Sequence, residues 1–318
     1  MVCRALEQGA DPNKVWDSVN ERGMPRDYEH VYKDMAPLHG ALCPQRSLHP
    51  GRKELPADPE RGMSGNVALL LGAGANPNAT NPKGQTPLVF SCALNSIAFV
   101  HPTVLEQLAK ASRGALDTPD ALGRTALSYA AEQLELPVMR ALVKGGAGVE
   151  VADQQGWTPL WFVAGISSKH KKKKNQGKCL DFLTQKGARW DGVDTKGYSI
   201  LMRFNQLDPD MAARNGTQVA HRAPDGQTYL GVLLEKGSPY GWSLELEKMH
   251  RLIPHKEVDW NTQASGDITV EKALRKAAKQ YSGSPAFMIK VRELESHLAA
   301  WKMEQATPPS PRRRAVRL

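Results

Sequence analysis

A chain of 318 residues with 41% hydrophobic but only 6% aromatic side chains suits thin helical layers packed through Ala, Leu and Gly better than one large globule. No stretch approaches about 18 uncharged apolar residues, and Met1 to Glu7 lacks the basic-then-apolar order of a secretory signal, so neither a membrane span nor an export signal is expected. The net charge of +9 is concentrated in Lys169, Lys171 to Lys174 and Lys178, and in Arg312, Arg313, Arg314 and Arg317; the remainder is close to neutral, which argues against a basic groove running along the whole body.

In chain order, Val2 to Leu6 reads as the end of a helix whose partner is missing, followed by Gly9-Ala10-Asp11-Pro12-Asn13. Such a start is either a degenerate cap or the continuation of a chain that begins upstream of Met1. Residues 14–34, with Tyr28, His30 and Tyr32, enlarge the first connection, and Ala36-Pro37-Leu38-His39 opens a new helix. A Pro-, Arg- and Gly-rich stretch near 44–62 reads as an inserted loop. Leu71-Gly72-Ala73-Gly74-Ala75-Asn76-Pro77-Asn78 then repeats the opening pattern, and Lys83-Gly84-Gln85-Thr86-Pro87-Leu88 introduces a second one. After an insertion near 96–102, the second pattern returns at Leu122-Gly123-Arg124-Thr125-Ala126-Leu127, at Gln155-Gly156-Trp157-Thr158-Pro159-Leu160, at Lys196-Gly197-Tyr198-Ser199-Ile200-Leu201 and at Asp225-Gly226-Gln227-Thr228-Tyr229-Leu230. Between these lie helical runs closed by Gly146-Ala147 and Gly187-Ala188, with a lysine-rich insertion at 169–178.

Each residue type in the pattern has a structural reason. Glycine tolerates the positive φ of a tight turn, Thr or Ser caps the following helix, and Pro in the first helical turn forfeits no hydrogen bond. Glycine again suits the left-handed residue that ends the second helix. From Thr125 to Thr158 the interval is 33 residues, and longer intervals carry insertions where surface loops tolerate them.

These segments resemble ankyrin repeats, a family whose period is about 33 residues. The resemblance implies an all-α solenoid of stacked helix-turn-helix units with short β-hairpin fingers, the repeats spanning 1–260 and the whole numbering about seven units when the opening half unit and a C-terminal cap are counted. Val270 to Gln280 and Pro285 to Met303 are expected as two amphipathic helices forming a polar C-terminal cap over 261–305, and 306–318 as a disordered basic tail. It also implies that His39 hydrogen-bonds local backbone.

The resemblance further implies a non-enzymatic scaffold, adaptor or inhibitor that binds another protein through the concave face of fingers and first helices. On that face the residues just after the turn glycine are Gln85, Arg124, Trp157, Tyr198 and Gln227, and those just before it are Lys83, Leu122, Gln155, Lys196 and Asp225. The expected contact set is Arg124, Gln155, Trp157, Trp161, Trp190, Lys196 and Tyr198, because Trp, Tyr and Arg dominate binding hot spots. Trp161 has a competing reading as packing between repeats. Trp157 is expected to project from its turn into solvent.

No phosphate-binding glycine loop, nucleophile elbow or metal-ligand spacing is present, and no enzyme activity or cofactor is expected. His250 and His255 bracket Pro254 at a helix end. Cys3, Cys43, Cys92 and Cys179 are widely spaced, as reduced thiols of a cytoplasmic protein would be, with nuclear or host-delivered placement as alternatives. Lys171, Lys172, Lys173 and Lys174 form either a solvated loop or a contact for an acidic partner. The function alternative is a nucleic-acid or anionic-membrane binder using that loop and the Arg-rich tail.

Overall fold

The computed structural model describes residues 6–7, 9–14, 35–42, 59–93, 102–166, 173–204, 206–240, 243–264 and 268–306. Most of the expected insertions and the basic tail lie outside these residues. So do Lys171 and Lys172, together with Cys3 and Cys43. Two compact units divide the chain, Met1–Arg189 and Trp190–Leu318.

In the first unit the helices are α1 (Pro37–Ala41), α2 (Pro59–Gly72), α3 (Pro87–Ala93), α4 (Pro102–Ala111), α5 (Ala126–Glu132), α6 (Leu136–Gly145), α7 (Pro159–Ala164) and α8 (Gln176–Gln185). The stretch expected as a loop near 44–62 is therefore already helical from Pro59. Likewise a 3₁₀ turn at Lys173–Asn175 leads directly into α8, so the lysine-rich insertion ends inside a helix.

Helices α1, α3, α5 and α7 form an inner row in which each packs on the next, and α2, α4 and α6 form an outer row against them. The inner helices are short because they are covered from several sides. Pro87 to Cys92, Ala126 to Ala131 and Pro159 to Ala164 are all buried. An outer helix buries one stripe only: Val104, Leu105 and Leu108 on α4, and Val138, Met139 and Leu142 on α6. Cys92 and Cys179 sit in α3 and α8, and burial raises their thiols to about 12 and about 11, so both behave as small apolar side chains.

The turns explain the repeated motif. At Gly123 the φ is +79°, and a Cβ there would stand 2.8 Å from the backbone nitrogen of Gln154 in the next finger. Glycine is thus required by conformation and by close stacking together. One carboxylate organises this turn: the N–H groups of Leu122 and Arg124 both donate to Asp120 Oδ1 at 2.9 Å. Asn81, Asp153 and Asp194 repeat the arrangement at the neighbouring turns.

The expected Thr caps form only in part. Oγ1 of Thr86, Thr125 and Thr228 accepts from Val89, Ser128 and Gly231. Thr158 and Ser199 occupy the same extended cap position, but their side chains make no cap bond. The extended φ/ψ of the cap is what these repeats share; the hydroxyl bond is optional.

The opening segment belongs to the same scheme. Asn13 Nδ2 donates to Gly74 O at 3.0 Å and Asn13 Oδ1 accepts from the Asn76 N–H at 2.6 Å, which joins the first Gly-Ala-x-Pro-Asn element to the second. His39 is buried in α1, and its Nε2 lies 2.9 Å from Gln85 O. The histidine therefore reaches the finger of the following unit as well as the Ala36 backbone of its own turn, and burial lowers its pKa.

In the second unit, α9 (Ile200–Arg203), α11 (Tyr229–Tyr240) and α13 (Val270–Gln280) pack in sequence as an inner row. Helices α10 (Pro209–Arg214), α12 (Ser243–Arg251) and α14 (Pro285–Ala306) do the same as an outer row. Strands β1 (Gln263–Ala264) and β2 (Ile268–Thr269) pair antiparallel ahead of α13, whose N-terminus Thr269 caps by accepting the Lys272 N–H. The segment expected as a C-terminal cap forms the helix pair expected of it, with Thr269 as N-cap, and is preceded by a short two-stranded finger. The sequence hid that finger because no Gly-x-Thr-Pro-Leu turn precedes Thr269. Trp260 is buried and meets His297 edge-on, with ring centroids 4.9 Å apart. Helix α12 ends at Arg251, next to His250, which pairs with Glu293 on α14 at 2.6 Å.

Candidate functional site

At three turns the residue after the turn glycine meets the residue five positions on, which lies on the following inner helix. In the first unit the guanidinium of Arg124 stands 4.0 Å from the ring of Tyr129, five residues on. It is also 4.2 Å from the ring of Phe162, which belongs to the next inner helix. Trp157 meets that same Phe162 edge-on at 5.7 Å, again five residues apart. Tyr129, Arg124, Phe162 and Trp157 therefore form one continuous stack over α5 and α7. Cation–π and aromatic contacts of this kind each contribute about 0.5–2 kcal/mol.

Polar groups fix both ends of the arginine. Arg124 Nη2 pairs with Glu132 at 2.5 Å, and the Tyr129 hydroxyl donates to Asp120 Oδ2 at 2.6 Å. Asp120 thus joins the turn to the helix through one carboxylate. Burial first, and that hydrogen bond second, raise the Tyr129 hydroxyl to about 12.

This geometry changes what the sequence suggested for several side chains. Arg124 retains only 13% of its side-chain exposure, because its guanidinium lies between two rings. Trp157 does not project freely from its turn; it is half-buried and leans on Phe162 and on Trp161, 6.3 Å away. Trp161 is 1% exposed and Trp190 2% exposed, so both are core side chains and leave the contact set. The packing reading of Trp161 holds because its position on α7 lies inside the inner row. Gln155 is exposed at the finger tip.

The residue before the turn glycine is the one that meets solvent. Lys83, Leu122, Gln155, Lys196 and Asp225 are all exposed. Leu122 stands out as a large apolar side chain at 57% exposure, and it is missing from the expected contact set. The finger tips are tied together beneath it: the Gln154 N–H donates to Leu122 O at 3.2 Å, and Gln154 Nε2 donates to Ala121 O at 2.9 Å. Its signal in the sequence is a Leu at a position where the other turns carry Lys, Gln or Asp.

In the second unit the same five-residue relation recurs with its members exchanged. Tyr198 follows the turn glycine, and the guanidinium of Arg203 stands 4.1 Å over its ring. Arg203 Nε reaches Asp194 Oδ2 at 2.5 Å, the counterpart of the Tyr129–Asp120 bond. The Tyr198 hydroxyl donates to Asp225, and this bond holds the Asp225 carboxyl below its ordinary range. Lys196 is exposed beside this pair. Lys174 is exposed at the start of α8.

Residues 60–145 match the family model for ankyrin repeats, in three copies. Among solved structures the chain is similar to the ankyrin repeat domain of Bcl-3, described as a unique member of the IkappaB protein family. The identity is 22% and the TM-score 0.50, over 73% of this chain and 85% of that one. No curated protein sequence matches the chain. The matched repeats, the shared fold and the turn geometry that recurs from Gly84 to Gly226 agree: residues 60–145 match ankyrin repeats, and the chain has the ankyrin-repeat fold.

Proposed function

We propose that this protein is a non-enzymatic adaptor or inhibitor that binds another protein through the finger tips and inner helices of its first unit. Ankyrin repeats generally mediate protein–protein interaction, and the observation supporting this location is one strip of surface. Leu122 and Gln155 are exposed on consecutive, hydrogen-bonded finger tips, with half-buried Trp157 beside them. An apolar side chain at 57% exposure gains about 1–2 kcal/mol when a partner covers it. The stack below Trp157 holds the ring in one orientation, so little freedom is lost on binding. Arg124 acts as the support of this strip more than as its contact. Lys196 and Tyr198 offer the second unit a smaller strip of the same kind. Cytoplasmic placement fits the reduced, buried thiols.

Site-specific photo-crosslinking in the native cell tests the location. A benzophenone side chain at position 155 is expected to trap a protease-sensitive, nuclease-resistant adduct, and one at position 103 on outer helix α4 is expected not to trap it. Equal trapping from both positions, or an adduct removed by nuclease, would refute the proposal.

A further inference from the structure

The outer helices of the first unit carry a charge pattern opposite to that of its fingers. Lys110 and Arg113 are exposed at and just beyond the end of α4, Arg140 and Lys144 one turn apart on α6, and Lys174 and Lys178 at the start of α8. None of these six makes an ion pair with a described residue. Exposed acids on α4, α6 and α8 are confined to Glu106 and Asp181. By contrast, the fingers and inner helices after Ala115 carry Asp117, Asp120, Glu132, Glu150 and Asp153 against Arg124 and Arg189. Lys174 and Lys178 belong to the lysine-rich stretch, whereas Lys110, Arg113, Arg140 and Lys144 come from the near-neutral remainder, which is thus not uniform in charge.

The basic face is built into rigid structure. Helices α4 and α6 pack side by side, and the Arg140 guanidinium lies 5.5 Å from the ring of Phe182 on α8, which links α6 to α8. Neighbouring packed helices lie about 8–10 Å apart, and a helical turn rises about 5.4 Å, so the cations are dispersed over a sheet-like area and do not form one point.

We propose that this outer face binds the phosphate backbone of double-stranded nucleic acid, independently of the protein-binding strip. Unpaired cations at several spacings suit a regular polyanion, whose bound counterions are released on contact. Among the described residues of α4, α6 and α8 no large apolar side chain is exposed, and Leu69 belongs to the neighbouring outer helix α2. Leu69, Leu122, Val193, Ile289 and Met303 all lie off α4, α6 and α8. The face thus lacks the wedge with which a helix inserts into a lipid interface, and the aromatic platform on which unpaired bases stack. A backbone contact without base readout implies binding that is indifferent to sequence.

The test is fluorescence anisotropy of labelled 20-base-pair DNA and RNA duplexes with the full chain, from 50 to 200 mM salt. The wild type is expected to bind either duplex, with affinity falling as salt rises by a log–log slope of about −0.9 for each phosphate engaged. Arg140→Glu with Lys144→Glu should weaken binding at least tenfold and make the slope shallower by about 2, with an unchanged melting midpoint. Arg140→Lys with Lys144→Arg should retain it. If the reversal variant melts early, Arg140→Gln with Lys144→Gln serves instead, with the same expected direction. Removal of the charges on Lys171 to Lys173 and Arg312 to Arg314 should leave a measurable share of binding that still responds to positions 140 and 144. The proposal is overturned if the wild type binds no duplex, or if binding resides wholly in that loop and tail. It fails equally if phosphatidylserine vesicles or polyglutamate of matched charge are held as tightly as duplex.

Discussion

The two units solve one packing problem with exchanged parts. In the first, the turn supplies a cation and the inner helices supply the rings, so Arg124 lies between Tyr129 and Phe162. In the second, the turn supplies the ring and the helix the cation, so Arg203 lies over Tyr198. In both, the turn carboxylate takes a hydrogen bond from whichever donor the helix offers, Tyr129 to Asp120 and Arg203 to Asp194. The difference is reach. A cation at the turn can touch its own helix and the next, which extends the stack across repeats, whereas Tyr198 closes its pair against Asp225. The first unit is therefore the better platform for a preorganised surface, and the contrast can be broken at several points.

Phe162→Ala should have the largest effect, because it removes the floor under Arg124 and the edge partner of Trp157 from a nearly buried site. A loss of about 3–4 kcal/mol is expected in urea unfolding, against about 1–2 kcal/mol for Arg203→Ala in the second unit. Equal losses would mean that the stack has no special reach. Next come the turns. Gly123→Ala meets both a positive φ and the Gln154 backbone nitrogen, and should cost about 2–4 kcal/mol, while Gly226→Ala, at φ +84° with no atom within 4 Å of its Cβ, should cost only about 1 kcal/mol. A double-mutant cycle between Arg124 and Phe162 should return a coupling of about 1 kcal/mol. The corresponding cycle for Tyr198 and Arg203, which are more exposed, should return about half as much.

The smallest effect is a pH dependence. Tyr129 titrates at about 12 in the folded chain, above the value of about 10 for an unfolded tyrosine. A raised acid pKa means that the neutral form is favoured on folding, so this contribution is complete below about pH 10 and disappears as pH rises toward about 12. Between pH 9 and about pH 11.5 the wild type should lose more melting temperature than Tyr129→Phe. Identical losses would show that burial and the Asp120 hydrogen bond do not hold the Tyr129 hydroxyl neutral in the folded chain.

Most of the fold could be read from the turns, since Gly84, Gly123, Gly156, Gly197 and Gly226 all adopt the positive φ that the repeated motif requires. The last helix pair was legible from its apolar stripe, but the finger ahead of it was not, because Thr269 keeps the cap while the glycine turn is lost. The proposed contact face was legible only as a set of turn positions, and the exposure of their side chains was not. Spacing identified the residues flanking each glycine, yet it could not say that the one after it leans five residues forward onto the inner helix. Spacing alone therefore gives no sign that Trp157 and Arg124 are partly covered while Leu122, on the other side of the glycine, is exposed. Trp161 and Trp190 carry the residue type of a hot spot, but only packing shows that they are core.

The central claim is that Trp157, supported from below by Phe162, is part of the docking surface. Its most direct test is calorimetric titration of the partner trapped at position 155 against the wild type, Trp157→Ala and Leu122→Ala, alongside urea unfolding of each. Trp157→Ala is expected to cost about 2 kcal/mol or more of affinity and about 1–2 kcal/mol of stability, and Leu122→Ala to weaken affinity with stability unchanged within about 0.5 kcal/mol. Full affinity in both variants, with Trp157→Ala losing stability alone, would show that the ring serves the fold and that the partner docks elsewhere.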